Sequence, residues 1–198
     1  MIPRHLTIAA GLLLVAVLAM SLYGWRERGR AAATLGPVSS RPMSPPVLGP
    51  TEQVTLAVAY DDPGVVHFQS ARIPLPANRQ QRAEELLRAL LGIYLGKSSP
   101  HSLPAGSDLR AVYLVDPGLS VIDLNSAFAN GHRSGILVEE LTVVSLVHTL
   151  AANIPGILRV KILVDGKQRD TLAGHADLSM FYDVSAVGQL ATQLQSAP

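Results

Sequence analysis

Apolar and polar positions change period from block to block along this chain, and each period predicts a different element. The first block, Leu6 to Tyr23 (LTIAAGLLLVAVLAMSLY), carries no charge and no polar stripe. At 1.5 Å per residue it extends roughly 27 Å, about the thickness of a bilayer's hydrocarbon. Tyr23 and Trp25 follow where aromatic rings favour lipid headgroups. The small-residue sites at Ala19–Ser21 and Ala31–Ala33 are poorly placed for signal cleavage. Residues 1–30 are therefore expected to be an uncleaved N-terminal transmembrane anchor. Residues 31–51 show neither period and have prolines at 37, 42, 45, 46 and 50. They read as an extended tether, on the order of 60 Å long at about 3.1 Å per residue.

From 52 to 184 the pattern becomes that of a folded domain. QVTLAVAYDD (Gln53–Asp62) and VVHFQSARIPLP read as two strands around Pro63-Gly64, with Pro74 and Pro76 confining the second to an edge. NRQQRAEELLRALLGIYLGK places Ala83, Leu86, Leu87, Leu90, Leu91 and Tyr94 on one helical face. Asn78 is its expected cap and Gly96 its stop. LRAVYLVDPGLSVIDLN predicts two more strands about Asp116-Pro117-Gly118. A second helix, GILVEELTVVSLVHTLAAN, is apolar almost all round and must be covered by something; Ser134 could cap it. LRVKILV is a buried strand, and Asp165-Gly166 is a strong two-residue hairpin signal. KQRDTL then reads as the return strand, with Val164 facing Lys167 and Lys161 facing Asp170. The order β-β-α-β-β-α-β-β predicts an α+β fold, two helices on one face of a mostly antiparallel or mixed sheet. Residues 185–198 read as a tail.

Composition narrows the chemistry. A net charge of +1 gives no case for nucleic acid. With no cysteine there is no disulfide, thiol nucleophile or lipid-modified cysteine. The six histidines form no HxxxH or HxH pair, and no nucleophile elbow, Walker loop or dinucleotide fingerprint is present. Ser145 and His148 stand three apart on the apolar helix and read as core or groove residues. The densest cluster of polar chemistry, VDGKQRDTLAGHADLS, holds Asp165, Lys167, Asp170, His175 and Asp177. A hairpin sends alternate side chains to opposite faces, so these carboxylates should diverge. His175 is expected to be a turn residue that meets no carboxylate in a pocket.

The chain from about Val54 to Tyr182 resembles a GerMN domain, the sporulation and spore-germination module. The resemblance rests on AEELLRALLGI, on Asp123, Leu124 and Phe128, and on Thr149, Leu150, Pro155 and Gly156. Asp165, Gly166, Gly174, Asp177 and Leu178 continue it. Pro74, Pro76 and Tyr94–Lys97 depart from the family pattern. The resemblance implies a fold similar to ring-building motifs, with residues 52–184 as the domain. It implies no catalytic residue, metal or cofactor. It also implies a position outside the cytoplasmic membrane, against the orientation that Arg26, Arg28 and Arg30 alone would favour. The expected function is a non-catalytic envelope module, held in the membrane by Leu6–Tyr23, that binds protein partners or peptidoglycan and leaves room for an oligomer. The alternatives are an envelope hydrolase using His175 with Asp177 or Asp170, and a small-ligand or lipid carrier with a pocket beside the second helix.

Overall fold

A computed structural model describes residues 49–76, 78–115 and 117–195. The predicted anchor, most of the tether and the last three residues lie outside them. β1 (Thr51–Tyr60) and β2 (Val65–Pro74) form an antiparallel hairpin with Tyr60 opposite Val65. α1 (Arg79–Tyr94) follows, capped by Asn78, whose side chain accepts from the Gln81 N–H at 2.9 Å. β3 (Leu109–Val115) and β4 (Leu119–Leu124) pair antiparallel. The short α2 (Ser126–Asn130) and the long α3 (Ile136–Asn153) then carry the chain across to β5 (Arg159–Val164), parallel to β4. A parallel neighbour needs such a crossover. β6 (Tyr182–Asp183) pairs antiparallel with β5, and α4 (Val184–Gln195) closes the described chain.

The expected single sheet is instead two, β1-β2 and β3-β4-β5-β6, with four helices among the described residues. The outer edge of β1 shows why. The N–H groups of Thr55, Ala57 and Ala59 turn away from β2 and meet side chains rather than a strand. Their acceptors are Asn153 Oδ1 (3.1 Å), Thr149 Oγ1 (3.0 Å) and Tyr94 Oη (2.8 Å). With its donors from Thr55 to Ala59 satisfied in this way, this edge offers little to a third strand.

α3 explains its own composition. The hairpin, α1 and α4 all pack on it, and Leu141, Val143, Val144, Leu146, Val147 and Leu150 are buried. It is long and apolar enough to cross a membrane by composition, yet its apolar faces are spent in this core. One of its covers, α4, is the segment read as a tail. Its Val187 and Ala191 are buried, and Val184, Leu190 and Leu194 pack against the core.

Two local expectations also change. Asp165 (φ 51°) and Gly166 (φ 71°) do form the tight turn, and Val164 and Lys167 exchange backbone hydrogen bonds of 2.9 and 3.0 Å. Beyond that pair no return strand forms, and Lys161 does not face Asp170. Lys161 is 1% exposed, and its Nζ donates to the carbonyls of Leu178 (2.6 Å), Ser179 (2.7 Å) and Met180 (3.4 Å). A buried ammonium needs such acceptors, and meeting them draws residues 178–180 beneath β5, so that Tyr182–Asp183 becomes its antiparallel partner. Ser134 does not cap α3 either. The N-cap is Gly135, whose N–H donates to Glu139 Oε1 at 3.2 Å.

Candidate functional site

The loop from Ala173 to Ala176 wraps around one carboxylate. Glu139, in the first turn of α3, is fully buried. Its Oε2 accepts the N–H groups of Ala173, His175 and Ala176 at 3.0, 2.9 and 2.9 Å. Its Oε1 lies 2.9 Å from His175 Nδ1. The positive φ of Gly174 (124°) lets the backbone turn its N–H groups inward as an anion-holding concavity. Burial alone would raise the pKa of Glu139; His175 and the three N–H groups outweigh it and hold the pKa down to about 2.

His175 therefore does meet a carboxylate beside a concave surface, contrary to expectation, and the partner is one the sequence did not nominate. The surface is a groove of about 550 Å³, open to solvent. Val143 and Val144 of α3 and Val187 and Leu190 of α4 form its floor; Ile136 (70% exposed) and Met180 (56% exposed) stand at its rim. Asp177 lines the groove but does not partner His175. Its Oδ1 accepts the Ser179 N–H (2.7 Å) and its carbonyl accepts the Tyr182 hydroxyl (2.8 Å). Asp170 is exposed, and its carbonyl accepts the Leu178 N–H.

A carboxylate and an imidazole in contact invite comparison with a hydrolase, and the geometry does not complete one. In a triad the acid addresses one ring nitrogen and the nucleophile the other. Here Ser134 Oγ, 3.4 Å away, addresses the same Nδ1 that Glu139 holds. A carboxylate with a pKa of about 2 is also a weak base at neutral pH. The arrangement holds a loop in place and orients an imidazole at the edge of an apolar groove.

A second polar chain lies deeper. His101 Nδ1 is 2.6 Å from Asp61 and its Nε2 2.6 Å from Thr142 Oγ1. His132 Nε2 meets the same hydroxyl at 2.8 Å, and its Nδ1 faces the Arg133 carbonyl at 2.8 Å. Arg133 reaches back to Asp61 at 2.5 Å. Asp61, His101 and Thr142 thus stand in triad order, but Thr142 is 1% exposed and its hydroxyl donates to its own helix at Val138 (3.0 Å). This chain staples the turn after β1, the loops after α1 and α2, and α3. Burial lowers the pKa of both rings, against the Asp61 contact in His101 and the Arg133 carbonyl in His132. Ser145 and His148 do not address one another: Ser145 donates to the Thr142 carbonyl, and His148 stacks on Phe68 with centroids 4.7 Å apart.

The residues that carried the resemblance have placements with physical reasons. Asp123 is buried; it accepts the Gly166 N–H at 2.7 Å and meets Arg110 Nε at 3.3 Å. Burial raises its pKa, with Gly166 and Arg110 opposing. Arg110 also reaches Asp165 at 2.7 Å, so β3, β4 and the turn after β5 are tied together. Leu124, Phe128, Leu150 and Leu178 are core. Thr149 seals β1, and Pro155-Gly156 (φ 87°) ends α3. Among the described residues no cluster of His, Asp and Glu converges to hold a metal.

The chain belongs to the Germane family, described as sporulation and spore germination, whose model matches residues 56–170. Its folded part is a GerMN-type domain. Solved structures similar to it include a Clostridium perfringens protein described as a candidate lipoprotein (19% identity, TM-score 0.45, covering 71% of this chain and 91% of that one). The tandem GerMN domains of the sporulation protein GerM from Bacillus subtilis match at 20% identity and TM-score 0.48, over 65% of this chain and 44% of theirs. The first of those domains alone matches at 17% and 0.44, over 64% and 92%. No curated protein sequence matches.

Proposed function

We propose that this protein is a non-catalytic docking module of the cell envelope, held by the Leu6–Tyr23 segment with its GerMN-type domain outside the cytoplasmic membrane. Family membership supplies the setting of sporulation and germination. One observation carries the docking role. In the most reactive-looking pair, both Glu139 oxygens and His175 Nδ1 are taken up by contacts that hold the loop, and beside it lies an open apolar groove whose rim exposes Ile136 and Met180. A concave apolar surface with exposed Ile136 and Met180 at its rim offers a partner's side chain a place to bury. An open groove also favours a protein partner over the enclosed pocket that a lipid carrier needs.

The native mass of the full chain, extracted from host membranes in mild detergent, tests this reading. It should exceed the monomer, and Met180→Glu, at an exposed position, should return it to the monomer without changing thermal stability. A monomeric wild type, or a complex indifferent to Met180→Glu, contradicts the groove as the docking site.

A further inference from the structure

The groove is apolar at its floor and negative at its wall, and that combination restricts what it can take. Glu140 is half-buried on the groove wall, and no described cation lies within salt-bridge reach of it. Asp177 lines the same groove, and Glu139 lies behind the His175 loop. The nitrogen donors nearby are already engaged. Lys161 is spent on the carbonyls of residues 178–180 and on offsetting Asp177, and the His175 ring is held by Glu139, so among the described residues Glu140 is the groove carboxylate left without a cation. These carboxylates also act on Tyr182. Its phenol is pushed up to about 12 by burial, and by Asp177, Glu139 and Glu140 in turn.

A carboxylate beside apolar surface is screened less than one on open surface. A cation placed there by a bound chain forms a charge-assisted contact that water supplies poorly. An anionic lipid surface meets repulsion at the same place.

We infer that the groove takes a segment of a partner protein in which a large apolar side chain sits beside a lysine or arginine. The apolar side chain fills the space between α3 and α4, and the cation pairs with Glu140. This rests on the docking reading above and goes beyond it by fixing the partner's chemistry.

The test uses the full chain in nanodiscs of zwitterionic lipid, against random peptides displayed on phage. Enriched peptides should carry an aromatic, leucine or isoleucine within two positions of lysine or arginine. Synthesised with a fluorophore, they should bind Glu140→Lys at least tenfold more weakly than wild type and Glu140→Gln about threefold more weakly. Met180→Glu should also weaken them, and thermal melts should show that each variant is folded. Enriched peptides that lack basic residues but are still lost with Met180→Glu overturn the charge pairing and leave the docking reading standing. Peptides insensitive to both variants, or none enriched above empty nanodiscs, overturn both. Preferential binding to anionic vesicles, or self-association abolished by Met180→Glu, overturns the proposed partner in favour of a membrane or a second copy.

Discussion

Removing the Glu139 side chain is the sharpest perturbation the site offers. Glu139→Ala strips the acceptor from the N–H groups of Ala173, His175 and Ala176, from Gly135, and from His175 Nδ1. Not all of these losses count equally. Gly174 and His175 are exposed, so water can replace part of what His175 loses. Ala173 and Ala176 are half-buried, and a donor orphaned there loses about 1–3 kcal/mol. The vacated volume in the α3 first turn adds about 1 kcal/mol or more. Removing a fully buried carboxylate also relieves its desolvation, which offsets part of the sum. The net expectation is a loss of about 3–5 kcal/mol, which for a domain of this size lowers Tm by roughly 10–15 °C. Glu139→Gln keeps one acceptor but turns an amide donor toward N–H groups, and should lose about half as much. Urea denaturation measures both variants, and amide exchange at 173–176 should speed up in step. A loss below about 1 kcal/mol for Glu139→Ala, with exchange at 173–176 unchanged, refutes the claim that this carboxylate holds the loop.

Acid should weaken the domain in two stages. His101 and His132 have folded pKa values below their ordinary 6.5. The unfolded chain therefore binds more protons just below that pH, and stability falls as pH drops through it; a His101→Gln chain should show a shallower slope in melts between pH 7 and 5. Glu139, held to about 2 against an ordinary 4.5, contributes fully above 4.5 and loses that contribution as pH falls toward 2. Thr149→Val should cost about 1–3 kcal/mol by orphaning the Ala57 N–H, and exchange at Ala57 should be its local signature in deuterium labelling. Gly118→Ala should destabilise by about 1–3 kcal/mol in chemical denaturation, because φ is 77° and the new Cβ would lie 2.9 Å from both the Gly156 carbonyl oxygen and Leu158 Cγ.

How much of this was legible in the sequence differs by element. α1 was readable residue by residue, because Leu86, Leu87, Leu90 and Leu91 keep a helical period and Asn78 sits at the cap. The all-round apolarity of α3 correctly called for a cover, and the cover itself was missed. In VSAVGQLATQLQ the apolar positions are spread thinly around Gly188, and the stripe of Val184, Val187, Ala191 and Leu194 is easily taken for a tail. The Asp165-Gly166 turn was legible from two residues, since their backbone preference is local. The register beyond it was not, because a buried Lys161 drawing in three carbonyls is a tertiary event that no alternation of side chains reports. Glu139 was hidden for the same reason. An acid in a first helical turn ordinarily answers the helix dipole. Only the run Ala173-Gly174-His175-Ala176, whose glycine lets the backbone turn its N–H groups inward, hinted at an anion to be held. His101 and His132 are 31 positions apart in sequence and are brought together around Thr142 by the fold.

The central claim is that this domain acts by contact through the α3–α4 groove. Site-specific photocrosslinking in the native host tests it most directly, with a benzophenone amino acid placed in the full chain at Met180 and, as control, at Gln53. Gln53 is exposed and lies near the opposite end of α3, where Thr55 meets Asn153, roughly 20 Å along the helix from Glu140. The account predicts a discrete crosslinked protein from position 180 and none from position 53. Equal crosslinking from both positions, or crosslinking from position 53 alone, contradicts it.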